Sequence, residues 1–375
     1  MAVLSKGNKF PLELTPELMN LVKGKSSLMR LSAAEPIPFN GKEMFTFNFD
    51  KEIEVVGENE QKSDGGATMG SVSITPVKVV YSMRAPDEFR FAAQEKRVDW
   101  LRAFSQGLVR KIAKGFDLMA FHGINPRTGN AATTQIGNNH FDYQVTKTVY
   151  ESAVSANATV EAAIAEVGND EWGVSGLIAA PSFRADLAKE TDGDNRPIFP
   201  ELKWGAAPAE LNGLPFEVNG TVNYGNSPDV AIVGDFAEYF RWGYAKEVMV
   251  EMIEYGDPDN TGVDLKGSNQ VCLRGEAYIG WAIMIPEAFC RVLKSPSITL
   301  NKLTDTVAAG STTALTATTY PAGETVTWTS SKASVATVSD GTVTGVAAGK
   351  AKITAAITVD GVTYTASCEV TVTGS

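Results

Sequence analysis

Histidine is the side chain best suited to moving protons near neutral pH, and this chain of 375 residues has two, His122 and His140. Both lie in or near a turn-rich stretch that follows a long helical pattern. A histidine in such a place is more often a polar turn or capping group than a base. No Gly-x-Ser-x-Gly elbow supplies a nucleophile. The sequence also lacks a Gly-x-Gly-x-x-Gly turn, a phosphate-loop lysine and a His-Glu-x-x-His pair, the spacings that bind dinucleotides, nucleotide phosphates and catalytic zinc.

Carboxylates cluster twice without making a metal site. The run from Asp257 through Asp259 and Asn260 to Gly262 has the outline of a calcium loop. It places Thr261 at the fifth ligand position and Ser268 where the bidentate glutamate belongs, so a solvated turn is expected there. Asp192, Asp194 and Asn195 gather in another loop with no third carboxylate at a useful offset. Cys272, Cys290 and Cys368 are isolated in apolar contexts and read as small buried hydrophobes. Trp172, Trp204, Trp242 and Trp281 are scattered and fit core or interface packing better than a sugar platform. No catalytic, cofactor-binding or metal-ligating residue is assigned, and the chain is not expected to be an enzyme.

Elements that would position a site point elsewhere. Residues 1–40 show little periodicity and carry Pro11, Pro16, Pro36 and Pro38, which predicts an extended arm with at most a short helix near residues 17–22. Phe45, Phe47 and Phe49 alternate with polar neighbours, and Ile53 and Val55 continue the period as one strand. Val72, Ile74 and residues 77–81 predict a second. The two form a long hairpin whose polar tip holds Glu58, Glu60, Lys62, Asp64, Gly65 and Gly66.

After Pro86 the period becomes helical. Leu101, Phe104, Leu108, Ile112, Phe116 and Met119 recur at spacings of three or four, predicting a helix over 87–121. At about 1.5 Å per residue it would be about 50 Å long. The run GINPRTG at 123–129 stops it. Beyond Tyr150 the pattern predicts helices over 159–167 and 181–190, a loop over 192–213, strands over 177–180, 230–233, 247–253 and 271–285, and a closing helix over 286–293. That mixture is α+β, without the regular alternation of a Rossmann or barrel enzyme.

The last eighty residues have another composition. Pro296 to Ser375 contains 20 Thr and no Arg or His. Ala351, Ile353, Ala355 and Ile357, then Tyr364, Ala366, Cys368, Val370 and Val372, fall on every second position. Asp340-Gly341 and Asp360-Gly361 are hairpin signals. An all-β sandwich with its own core is expected, and 375 residues exceed what a single core usually holds. Net charge is −11, and residues 1–295 hold 29 Lys+Arg against 39 Asp+Glu. A protein that grips nucleic acid by neutralising phosphates is disfavoured. No apolar run is long enough for a signal peptide or a membrane span, so no membrane partner is expected.

Residues 328–355, WTSSKASVATVSDGTVTGVAAGKAKITA, resemble the group 2 bacterial immunoglobulin-like domain. Trp328, Ser330, Ser331, the Gly341 to Gly345 step, Gly349 and Ile353 fill the places of that motif in order. The body resembles the major capsid proteins of tailed bacteriophages with the Hong Kong 97 fold. The matching stretches are the hairpin, FHGINPRTG (121–129), GLIAAPSFRADLAKETDGDNRPIFP (176–200), LNGLPFEVN (211–219), VAIVGDFAEYFRWGY (230–244) and VCLRGEAYIGWAIMIPEAFCRVL (271–293).

That resemblance implies an α+β capsid fold followed by an immunoglobulin-like sandwich. It divides the chain into an arm (1–40), an extended hairpin loop with flanking strands (41–85), a peripheral domain with the long spine helix (86–149), an axial domain with returning peripheral strands (150–295) and the immunoglobulin-like domain (296–375). It further implies a structural protein that self-assembles through hexamers and pentamers into an icosahedral head enclosing double-stranded DNA without sequence-specific binding. Localisation in the virion capsid, assembly in the host bacterial cytoplasm and a portal follow as expectations. Because the chain begins almost at the arm, it is expected to be either a processed form or one that relies on a separate scaffolding protein, and Met1 argues for the separate scaffold. Some relatives weld subunits through a Lys–Asn isopeptide bond. Lys51 and Lys62 sit in the right hairpin, but no partner Asn is evident and cross-linking is not expected. The tail is expected on the particle surface, where many copies would make weak glycan or cell-surface contacts count. The alternatives are a bacterial encapsulating nanocompartment, for which a fused sandwich is unexpected, and a cell-surface adhesin, which needs an export signal.

Overall fold

The computed structural model describes residues 21–49, 51–88, 94–152 and 154–374. Most of the expected short helix near residue 17 lies outside the described residues, which are helical at 21–23. The chain divides into two units, Met1–Val149 with Val154–Leu293, and Tyr150–Ala153 with Lys294–Ser375.

In the first unit, helix α1 (Ser27–Leu31) starts at Ser26, whose hydroxyl accepts from the Met29 amide at 3.2 Å. The chain then lies across a later strand. The Glu35 amide donates to the Trp242 carbonyl at 2.8 Å, and the neighbouring Gly243 leaves the room, because a Cβ there would overlap the Glu35 carbonyl. Strands β1 (Lys42–Phe49) and β2 (Ala67–Ile74) pair antiparallel, from Lys42 opposite Ile74 to Phe49 opposite Ala67.

Two features of the hairpin differ from the sequence expectation. Ile53 and Val55 do not extend β1; both are 95% exposed in an irregular tip. Residues 77–81 do not continue β2. After Thr75-Pro76 the chain begins a separate strand, β3 (Val77–Pro86), which pairs with a strand almost two hundred residues later. Proline lacks the amide that a continuous ladder would need.

Helix α2 (Gln94–His122) has 29 residues, so at 1.5 Å per residue it measures about 44 Å. Asp87 and Glu88 form a 3-10 turn instead of its first turn. Its stripe of Phe104, Leu108, Ile112, Phe116 and Met119 is buried as the period predicts. There follow α3 (Phe141–Gln144), β4 (Thr148–Tyr150), α4 (Ala156–Gly168), β5 (Gly176–Ala179), α5 (Pro181–Leu187), β6 (Glu210–Leu211), β7 (Leu214–Val218), β8 (Asp229–Gly234), α6 (Phe236–Tyr239), β9 (Phe240–Ile253), β10 (Gln270–Ile283) and β11 (Phe289–Leu293). The expected closing helix is a 3-10 turn at Pro286–Ala288 followed by β11. Phe289, Cys290 and Val292 are all buried, and pairing with β8 satisfies the backbone they carry into the core.

Two sheets organise this unit. One is three-stranded, in the order β3-β10-β9, and α2 packs on it. Phe116 meets Trp281 edge-on at 5.5 Å and stands 6.1 Å from Trp242, each buried. Burying one such aromatic contributes about 2–3 kcal/mol. The other sheet is six-stranded, β4-β11-β8-β5-β7-β6, with β5 and β7 its parallel pair and α4 and α5 against it.

In the second unit, β12 (Ser297–Leu300) pairs with β15 (Ala317–Tyr320). A four-stranded sheet has the order β13-β20-β19-β16, and a three-stranded sheet β14-β18-β17 faces the same core. These strands are β13 (Thr304–Ala308), β14 (Thr312–Ala314), β16 (Thr327–Ser330), β17 (Ala336–Ser339), β18 (Thr342–Gly345), β19 (Gly349–Val359) and β20 (Val362–Thr373). Both hairpin signals fold as read. Asp340 and Gly341 have φ of 47° and 80°, Asp360 and Gly361 48° and 79°, the doubly left-handed form that matches strand twist. Ala351, Ile353, Cys368, Val370 and Val372 line the core, with Trp328 half-buried beside them. The opposite face carries Thr304, Thr306, Thr354, Thr358, Thr363, Thr365, Ser367 and Thr371, with one ion pair, Lys350–Glu369 at 2.6 Å.

Candidate functional site

The titratable groups converge at the C-terminal end of α2, in a buried network. Asp117, 1% exposed, accepts from the Ser26 hydroxyl at 2.6 Å, the Asn219 amide at 2.7 Å and the Ser27 amide at 3.4 Å. Burial pushes its carboxyl up to about 7, against those hydrogen bonds, which pull it down. Asn219 in turn holds Thr221 through its carbonyl oxygen, at 2.9 Å from the Thr221 amide.

His122 continues the network. Its Nδ1 lies 2.8 Å from the Asp142 carboxylate and its Nε2 2.7 Å from the Thr221 carbonyl oxygen. Two acceptors against two ring nitrogens favour the imidazolium, which alone donates from both. Burial opposes the charge, but Asp142 and the Thr221 carbonyl outweigh it and leave the ring's pKa raised. Asp142 is also 3.2 Å from the Arg291 guanidinium, which reaches Asp229 at 2.9 Å. Burial drives Asp229 up to about 7, while its neighbour Asp142 is held below the usual carboxylate range by His122 and Arg291 despite burial. His140 is the N-cap residue of α3 without a capping side-chain bond, and burial lowers its pKa.

This arrangement joins α1, α2, α3, β8 and β11 through charge-assisted bonds but aims no nucleophile at a substrate. Breaking one partner of a buried charged set typically costs about 3–5 kcal/mol, so its chemistry is structural. Residue type and spacing alone single out His122 and His140 but not Asp117 or Arg291. The available signal was Asp117 itself, an acid between Phe116 and Leu118 in an otherwise apolar run to Phe121.

The acidic loops are turns. Asp192 accepts the amides of Asp194 at 2.9 Å and Arg196 at 2.8 Å. Asp257 and Asp259 are clasped by Arg84 from β3, at 2.7 and 2.5 Å, and the guanidinium holds Asp259 down to about 2. Among the described residues no group of three or more His, Cys, Asp or Glu is placed to hold a metal ion. Cys272, Cys290 and Cys368 are buried free thiols, and burial pushes Cys290 up to about 12. Trp242 and Trp281 are core residues, Trp172 is half-buried, and Trp204 is fully exposed at a left-handed φ of 57°.

Large apolar side chains are exposed at several places among the described residues. On the β1–β2 hairpin, Phe45 is 59% and Met69 63% exposed. The tip is braced internally: the Lys51 ammonium donates to the Asp64 carbonyl at 3.0 Å and the Ser63 hydroxyl to Glu54 at 2.6 Å. A two-stranded ribbon with one wet apolar face is marginal alone and gains stability when another surface covers it.

A family model described as the phage capsid family matches residues 7–293, and one described as the bacterial Ig-like domain (group 2) matches residues 295–370. A structure from Mycobacterium phage Ogopogo is 28% identical, covers 78% of this chain and 94% of its own, and superposes with a TM-score of 0.63. One from Gordonia phage Cozz, 22% identical over 72% of this chain and 87% of its own, has the same fold at a TM-score of 0.61. So does a structure described as the capsid of an empty GTA particle with C5 symmetry, at 14% identity, 72% and 90% coverage and a TM-score of 0.54. No curated protein matches.

Proposed function

Because this chain belongs to the phage capsid family and is a structural major capsid protein with a C-terminal immunoglobulin-like domain, we propose that it closes into rings by laying the β1–β2 hairpin of one subunit over the next. The observation that carries this is the hairpin's apolar surface, with Phe45, Met69, Ile53 and Val55 all open to water in the single subunit. A patch on one side of a subunit that fits another side of its neighbour makes a head-to-tail contact, and such contacts close into rings where the rotation between neighbours closes. Hexamers and pentamers of an icosahedral shell are the rings the family architecture calls for. Residues 1–40 serve as the arm, 41–85 as the overlapping loop, 86–149 as the peripheral domain and 150–295 as the axial domain.

The head encloses double-stranded DNA without sequence-specific contacts, consistent with 29 basic against 39 acidic residues in 1–295. Assembly takes place in the host bacterial cytoplasm with a portal and a separate scaffolding protein. Residues 296–375 are displayed on the shell and make weak glycan or cell-surface contacts that add up over many copies. Deleting Glu58–Gly66 tests the hairpin. The subunit should remain folded by circular dichroism and fail to form shells by electron microscopy, whereas normal shells would remove the hairpin from assembly.

A further inference from the structure

From Trp100 to His140 the chain carries Arg102, Arg110, Lys111, Lys114 and Arg127 against a single acid, Asp117. Asp117 is 1% exposed, so the charge this stretch shows to water is positive throughout. In a chain of 44 acidic and 33 basic residues that is a segregation of charge. The helical period gathers it on one face. With Phe104, Leu108, Ile112 and Phe116 buried, Arg110 and Lys114 lie one turn apart on the exposed face of α2, with Lys111 beside them. The side chains of Arg110, Lys111 and Arg127 are exposed and have no hydrogen-bond or ion-pair partner among the described residues. Lys114 stands over the Tyr224 ring at 5.7 Å, in a loop whose residues 219–228 contain no acid. The turn after α2, residues 123–140, has none either and is rich in Asn and Thr. Acids near the end of α2 are already answered, Asp142 by His122 and Arg291, and Asp229 by Arg291.

We propose that the solvent face of α2, with the turn that follows it, lies on the inner wall of the shell and touches the phosphates of the packaged double-stranded DNA; the inference rests on the shell-forming reading above. Residues 1–295 hold 29 basic against 39 acidic residues, so a wall built of them would repel the duplex if the charge were evenly spread. Concentrating cations where wall and duplex meet removes that repulsion locally. The contact stays loose, because neutralising only about three or four phosphates gives weak, salt-sensitive binding. Ammonium, guanidinium, hydroxyl and amide groups all bond phosphate oxygens whatever the base sequence, which suits a wall that meets every part of a genome.

The test compares lysine acetylation by a water-soluble active ester in mature particles filled with DNA and in the same particles emptied of it, read by mass spectrometry. Phosphate contact keeps an amine protonated and shielded. Lys111 and Lys114 should therefore react several-fold more slowly in filled particles, relative to the exposed Lys352 of the second unit. The protection should fade as salt rises, and Arg110→Gln should lower the salt at which it fades. Equal rates in filled and emptied particles would overturn the DNA contact and leave the capsid reading intact. Protection confined to precursor shells would make an acidic assembly protein the occupant and would overturn the DNA contact as well. Failure of the chain to form shells would overturn the assembly reading, and this inference with it.

Discussion

Gly234 and Phe289 lie directly opposite each other in the β8–β11 ladder, and a Cβ on Gly234 would overlap the Phe289 ring. Two sequence fragments meet at this point. The Asp235 amide donates to the Ala288 carbonyl at 3.1 Å, and the Phe236 ring packs on Phe289 at 5.2 Å. The Gly-Asp-Phe run and the Pro-Glu-Ala-Phe turn are thus two halves of one joint. Glycine gives the space, Asp235 caps α6 through the Glu238 amide at 3.2 Å, and two phenylalanines fill the core.

Gly234→Ala therefore adds a methyl where none fits. Overpacking of this kind costs about 1–3 kcal/mol. A denaturant melt of the full chain should show that loss without a change in slope, and an unchanged midpoint would mean that the joint relaxes freely.

Asp117 makes stability fall as pH rises. Its folded pKa, near 7, stands above the ordinary 3.8, so the native state holds a proton that the unfolded state has released. The contribution is complete below about 4 and declines up to about 7, and Asp229 acts in the same direction. Asp117→Asn should flatten this decline. Urea midpoints at pH 4.5 and 7.5 for both proteins check the slope.

Much of the fold is legible in sequence where the signal is local. The period of α2 marks its buried stripe from Phe104 to Met119, and Asp-Gly pairs mark two tail turns. Pairings between distant segments are not legible. β3 follows β2 after two residues, yet its partner is β10, and nothing within 77–81 tells a continuing strand from a new one. The stretch 289–293 reads equally well as a helix turn or a strand until β8 is known to lie beside it. The buried network fails for the same reason. Asp117, Asn219 and Arg291 are remote in sequence, and only folding shows that Asp117 is answered by Ser26 and Arg291 by Asp229.

Trp204 is the one fully exposed tryptophan among the described residues, held at a backbone angle that costs a non-glycine residue energy. Trp204→Ala should leave the subunit's stability within about 0.5 kcal/mol. Shell yield in sedimentation should fall if a neighbouring subunit covers the ring, and an unaltered yield would place it outside the contacts.

Truncation after Ser295 should leave shells of unchanged diameter without surface knobs in electron micrographs, and with altered adsorption to cells. Tyr150 belongs to the second unit, where its ring meets Tyr320 edge-on at 6.4 Å, so the truncated chain is best paired with Tyr150→Ser. Loss of assembly would make the domain a bridge between capsomers instead of a displayed module.

The hydroxyl-bearing face of the four-stranded tail sheet also bears on how particles behave in suspension. Short threonine side chains give up little rotational freedom when crowded, and they offer dissolved salt almost nothing to screen. With Lys350 and Glu369 paired at 2.6 Å, that face keeps one net positive charge, that of the exposed Lys352. A coat made of it would keep neighbouring particles apart by bulk and bound water, so colloidal stability should hold from dilute buffer to concentrated brine.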